Sequence, residues 1–173
     1  MIDNFSRRIL AWKVAEKFDP ATTAEILLTA SQGVVNDKPI LLADAGVENV
    51  NGAVNELIDS GLLKRVLAQT EIAFSNSLIE SWWRVLKHQW LFLNTLDTVR
   101  TVEKLVAFYV QEHNTRLPHS AFQGQTPDEM YFGTGGSIPT ELEAARRDAR
   151  QARAEANRKR TCSACELVAV SLN

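Results

Sequence analysis

Pro39-Ile40-Leu41-Leu42-Ala43-Asp44 is the stretch on which the fold turns. Its short unbroken apolar run reads as a β-strand buried on both faces, and such strands belong to sheets with helices packed against them. Asp44 closes the run at the strand's exit. Upstream, Thr22 to Val34 has helical spacing in Ala24, Ile26, Leu27, Leu28 and Ala30, with Asp19-Pro20 as a start and Gly33 as a stop. Downstream, Asn51 to Ser60 reads as a helix closed by Gly61, and Leu62 to Leu67 as a second strand. Helix and strand in alternation indicate an α/β layered domain.

The flanks extend this pattern. Ile2 to Phe18 reads as the end of a strand, a turn at Asp3-Asn4-Phe5-Ser6, and a second strand from Ile9 to Val14, so a hairpin opens the chain. From Ser77 the character turns helical: Ile79, Trp82, Trp83, Leu86 and Trp90 recur on an apolar side, while Glu80, Arg84 and Lys87 recur on a polar one. The three tryptophans are expected in the core. Leu96 to Glu112 predicts a further amphipathic helix, Asn114 to Pro127 a turn-rich stretch, and Gly133 to Pro139 a linker into a basic tail. The organisation expected is a core over residues 1–133, with linker and helical tail over 134–173.

With 173 residues, 45% hydrophobic content and a net charge of -2, the chain suits one globular domain with a short appendage. No run of apolar residues has the length of a membrane span and no signal peptide opens the sequence, so a cytoplasmic protein is expected. Charge is uneven along the chain: Arg146 to Arg160 holds seven Lys or Arg against Asp148 and Glu155. Such a tail either touches phosphates, through Arg146, Arg147, Arg150 and Arg153 among others, or is a solvated helix. Cys162 and Cys165 form half of a zinc motif with no partner half, and no disulfide framework is implied.

Asp44 and Glu80 are the candidate chemical groups. A carboxylate at a strand exit stands where α/β proteins place functional groups, and Glu80 follows 36 positions later at the start of a helix. Carboxylates converging there would hold the paired Mg²⁺ ions that in-line attack on a phosphodiester requires. Spacing alone decides little among 21 acidic residues. Asp44 also fits a simple turn, and Ser77-x-x-Glu80 fits a helix capping box.

Four blocks bear on the choice. Asp44, Glu80 and Lys87, the last seven residues after Glu80, resemble the second acid, third acid and basic residue of retroviral-type integrases and insertion-sequence transposases. Phe74-Ser75-Asn76-Ser77-Leu78-Ile79-Glu80-Ser81-Trp82-Trp83-Arg84-Val85-Leu86-Lys87-His88 is similar to their block around the third acid. Ile2-Asp3-Asn4-Phe5-Ser6-Arg7-Arg8-Ile9-Leu10-Ala11-Trp12 is similar to their second and third strands. His113-Asn114-Thr115-Arg116-Leu117-Pro118-His119 with Thr126-Pro127-Asp128-Glu129 resembles the segments that close their core.

The resemblance implies a ribonuclease H-like mixed sheet with flanking helices, Mg²⁺ or Mn²⁺ on Asp44 and Glu80, and DNA phosphates near Arg84 and Lys87. It implies mobile-element DNA ends as substrate, a homo-oligomer or a full-length transposase as partner, and a place beside the nucleoid. It also implies that the family's first acid and its central strand precede the segment with which this sequence begins. The metal would then need a third carboxylate from elsewhere, and the chain alone is expected to be a poor catalyst. A non-catalytic DNA-binding or dimerising regulator of a full-length transposase is the alternative. Arg84 also has the spacing for a plain i,i+4 pair with Glu80.

Overall fold

Local capping starts the first helix where the sequence places it. The Asp19 carboxylate accepts a hydrogen bond from the Ala21 N–H at 2.9 Å, and Pro20 occupies a first-turn position that needs no N–H. A computed structural model describes residues 1–32, 38–68 and 77–159, so the expected stop at Gly33 lies outside the described residues. Helix α1 spans Pro20–Ser31, strand β1 Ile40–Ala43, helix α2 Gly52–Asp59 and strand β2 Lys64–Leu67. The Asn51 side chain caps α2 by accepting from the Val54 N–H at 3.1 Å. Gly61, at φ 77°, takes the left-handed turn that ends it.

The two strands pair in parallel, with Ile40 opposite Lys64 and Ala43 opposite Leu67. A parallel pair needs a crossover, and α2 supplies it. Leu27 of α1, Val54 of α2 and Leu63 form a small core that Leu41, Leu57 and Ile58 flank. The strand at 40–43 departs from expectation. Only Ala43 is buried and Ile40 is 65% exposed, because among the described residues the sheet has two strands and α1 and α2 pack together on it. Burial on both faces is therefore not observed. The fold is mixed α/β, weighted to helix.

A second and larger core lies in the helical half. Helix α3 spans Ser77–Gln89, a 3₁₀ turn follows at Leu91–Leu93, and helix α4 spans Val99–Thr115, three residues later than the expected start because Thr98 caps it. Ile9, Trp82, Leu86, Leu91, Val106 and Val110 are buried together. The Trp90 indole N–H donates to the Leu105 carbonyl at 2.9 Å, and its ring stacks on Phe108. Trp83 corrects the expectation of three core tryptophans, being 41% exposed. Successive residues of a helix point about 100° apart, so with Trp82 turned into the core its neighbour points away.

Thr126 opens helix α5, Pro127–Phe132, with a reciprocal capping box: its hydroxyl accepts from the Glu129 N–H, and the Glu129 carboxylate accepts from the Thr126 N–H at 2.7 Å. Thr126→Ala is expected to lower unfolding stability by about 0.5–2 kcal/mol in urea titrations, with Thr126→Ser losing much less. Gly133, at φ 68°, ends α5, and helix α6 begins at Ile138 and runs to Arg158. The expected linker is thus shorter than 133–139, since Pro139 is tolerated in the first turn of α6.

The N-terminal hairpin forms with a single ladder bridge, Ile2 to Ile9, and no extended strand through Val14. Side chains from distant helices replace the missing ladder. The Asn114 carboxamide accepts from the Ile9 N–H at 2.9 Å and donates to the Ile9 carbonyl at 3.0 Å. His113 Nε2–H donates to the Arg7 carbonyl at 2.8 Å, and Arg8 bonds Asp128 at 2.6 Å beneath the rings of Tyr131 and Phe132. Inside the turn, Asp3 accepts from both the N–H and the hydroxyl of the fully buried Ser6.

Candidate active site and nucleic-acid interface

Asp44 leaves β1 at its C-terminal end and is exposed. Its Oδ1 accepts from the Gly46 N–H and from Asn49 Nδ2, each at 3.0 Å, which folds the following loop back on the strand exit. The turn reading of Asp44 is therefore realised, and its second oxygen carries no hydrogen bond among the described residues. Asp3 is unlike it, since the Asp3 carboxylate is spent on Ser6.

Glu80 stands in the first turn of α3, exposed, with no hydrogen bond or ion pair among the described residues. Residues 74–76, which precede it in the resembling block, lie outside the described residues, as does any cap they supply. Arg84, one turn on, does not pair with Glu80 and is likewise exposed. Lys87 lies on the same face a further turn along, its ammonium 5.7 Å from the centre of the Trp83 ring. The exposed tryptophan thereby steadies a cation on the helix face that carries Glu80, two turns along.

Carboxylate oxygens are the donors Mg²⁺ and Mn²⁺ prefer, so Asp44 and Glu80 fit those ions by chemical class. Among the described residues no group of three or more His, Cys, Asp or Glu is placed to hold a metal. Cys162, Cys165 and Arg160 lie outside the described residues.

Arg146, Arg147, Arg150 and Arg153 are all exposed on α6. Arg150 pairs with Glu143 at 3.2 Å, while the other three make no ion pair among the described residues. Arg146, Arg150 and Arg153 share a shallow groove with Glu143 and Ala149.

The family model of the integrase core domain matches the chain across β2's end, α3, α4 and the segment up to the start of α5. The match, over residues 66–127, supports an integrase or transposase catalytic core family. The matched integrase segment contains Glu80, Arg84, Lys87 and Asn114, whereas Asp44 and the N-terminal hairpin precede it. Integrase core domains serve transposase- and integrase-type DNA recombination, and those of the three-carboxylate type generally use divalent metals. No curated protein and no solved structure matches the chain. No helix among the described residues is long and apolar enough to cross a membrane.

Sequence reasoning missed the contacts that fix the site's surroundings. His113, Asn114, Asp128 and Arg8 were legible only as parts of family-like blocks, and their work is to clamp residues 7–9 against α4 and α5. Burial holds the His113 imidazole below its ordinary pKa, against the pull of the Arg7 carbonyl in the other direction.

Proposed function

We propose that the chain is the core of a DNA transposase or integrase with a ribonuclease H-like sheet. In this reading Asp44 and Glu80, with a third carboxylate, hold Mg²⁺ or Mn²⁺ at the ends of a mobile DNA element. The observation that carries the proposal is Glu80 standing unpaired at the start of α3 inside the integrase core match, with Arg84 and Lys87 one and two turns along the same face. When bound, the metal pair supplies activation of the attacking hydroxyl and charge relief at the leaving oxygen. Lys87, steadied on Trp83, and Arg84 hold the phosphates of the strand beside the acids, and exposed arginines of α6 hold phosphates further along the duplex.

Mn²⁺ titration tests the acids without requiring turnover. Paramagnetic broadening of amide resonances is expected to concentrate at Asp44–Gly46 and at Glu80–Arg84, and to disappear from both in the Asp44→Asn, Glu80→Gln double variant. Broadening that ignores these substitutions would remove both acids from the metal site. A second reading, a non-catalytic DNA-binding or dimerising regulator of a full-length transposase, draws support from the wholly exposed basic stretch of α6. Under it, the same double variant keeps full DNA affinity and full interference with strand joining by an intact transposase.

A further inference from the structure

Helix α6 leaves the body of the protein partway along its length. Ile138, Leu142 and Ala144 are half-buried, and the end of the Leu142 side chain packs directly on Gly124, where an added Cβ would displace it. From Ala145 to Arg158 every side chain is exposed. Those 14 residues extend about 21 Å, at about 1.5 Å each, with no partner among the described residues. Alanine, arginine, glutamate and glutamine keep the stretch helical without one.

Its sequence has a seven-residue register. Ile138, Leu142, Ala145, Ala149, Ala152 and Ala156 alternate spacings of four and three, the a and d positions of a coiled coil. Alanines on a helix face identify no partner by themselves; the charges beside them do. The positions before the seam at each a residue, the g positions, are Glu141, Asp148 and Glu155, all acidic. Those following the d residues, the e positions, are Pro139, Arg146 and Arg153, the last two basic. Within the chain Glu141, Asp148, Arg146 and Arg153 make no ion pair among the described residues.

We propose that α6 pairs in parallel with α6 of a second copy of this chain, Ala145, Ala149, Ala152 and Ala156 forming the seam. In a parallel pair each g residue faces the e residue five positions on in the other helix. Glu141 then meets Arg146, and Asp148 meets Arg153, twice each by symmetry. An antiparallel pair sets acid against acid and base against base, so the pattern selects orientation as well as partner. Alanine allows the helix axes to approach near the lower end of the usual 8–10 Å range. Two heptads of alanine bury little apolar surface, so the dimer is weak and depends on protein concentration and salt. Arg147 and Arg150 point away from the seam, which leaves them, and not Arg146 or Arg153, for phosphate.

Charge reversal in the full-length chain tests this by sedimentation equilibrium at low salt. One variant carries Arg146→Glu and Arg153→Glu, the other Glu141→Arg and Asp148→Arg, with circular dichroism verifying that each is folded. Wild type is expected to move from monomer to dimer as concentration rises, each variant alone to remain monomeric, and their equimolar mixture to recover the dimer. A wild type that stays monomeric at its highest soluble concentration, or variants that self-associate as wild type does, would overturn the proposal. So would a mixture that fails to associate. Loss of DNA affinity in the first variant, with wild type monomeric throughout, would assign this face of the helix to phosphate instead.

Discussion

Replacing Asn114 with leucine is expected to destabilise the protein by about 2–6 kcal/mol, read as a fall in the urea midpoint. The substitution keeps the side chain's bulk in a position 7% exposed and removes both hydrogen bonds to Ile9. Each buried backbone group left without a partner costs about 1–3 kcal/mol, and here one N–H and one carbonyl lose theirs together. A comparison two residues away separates this from general damage to the helix end. Arg116→Ala removes only an i,i+4 ion pair with Glu112 whose arginine end is exposed, worth less than about 1 kcal/mol. Equal losses at the two positions would mean that the carboxamide clamp contributes nothing of its own.

Binding to duplex DNA should show the second large effect. Substituting alanine at Arg84, Lys87, Arg147 and Arg150 is expected to reduce the slope of log affinity against log salt by about 3–4, since each phosphate that a side chain neutralises contributes about 0.9. Between about 50 and 200 mM salt, wild type then loses about 100-fold more affinity than the variant. Sequence preference should change little, because groups on the phosphates position the duplex without reading its bases. Removing Arg147 and Arg150 alone should account for about half of the change in slope. An unaltered slope would make these side chains ordinary solvated surface.

Local signals carried most of what the sequence disclosed. Asp19, Asn51 and Thr126 announce helix starts because a cap acts within three residues of itself. The strand, helix, strand order of β1, α2 and β2 was legible for a similar reason, as was the position of Glu80 at the head of an amphipathic helix. What failed was anything that depends on which surface another element covers. Periodicity places Trp82 and Trp83 together on one broad face, and only the seat of α4 decides that Trp82 is inside. The run at 40–43 shows how apolar a strand is, and says nothing of how many strands flank it. Asn114 was visible within a block of family-like residues, but not its bond to Ile9, 105 residues earlier. The register of α6 is written in the sequence, yet only the end of the body at Ala145 reveals the seam as unpartnered.

The clamp on the N-terminal hairpin also sets an order of events. Residues 7–9 leave the ribosome long before His113, Asn114 and Asp128, to which they are bound across 105 to 120 positions. At about 5–20 residues per second, the segment waits several seconds for its partners, with only the short hairpin's own hydrogen bonds to hold it. Contacts so distant along the chain are made late, after the loop between their ends has closed. This stretch is therefore made well before its partners yet is among the last to find its place, and until then Ile9 and its neighbours expose apolar side chains to whatever meets the nascent chain.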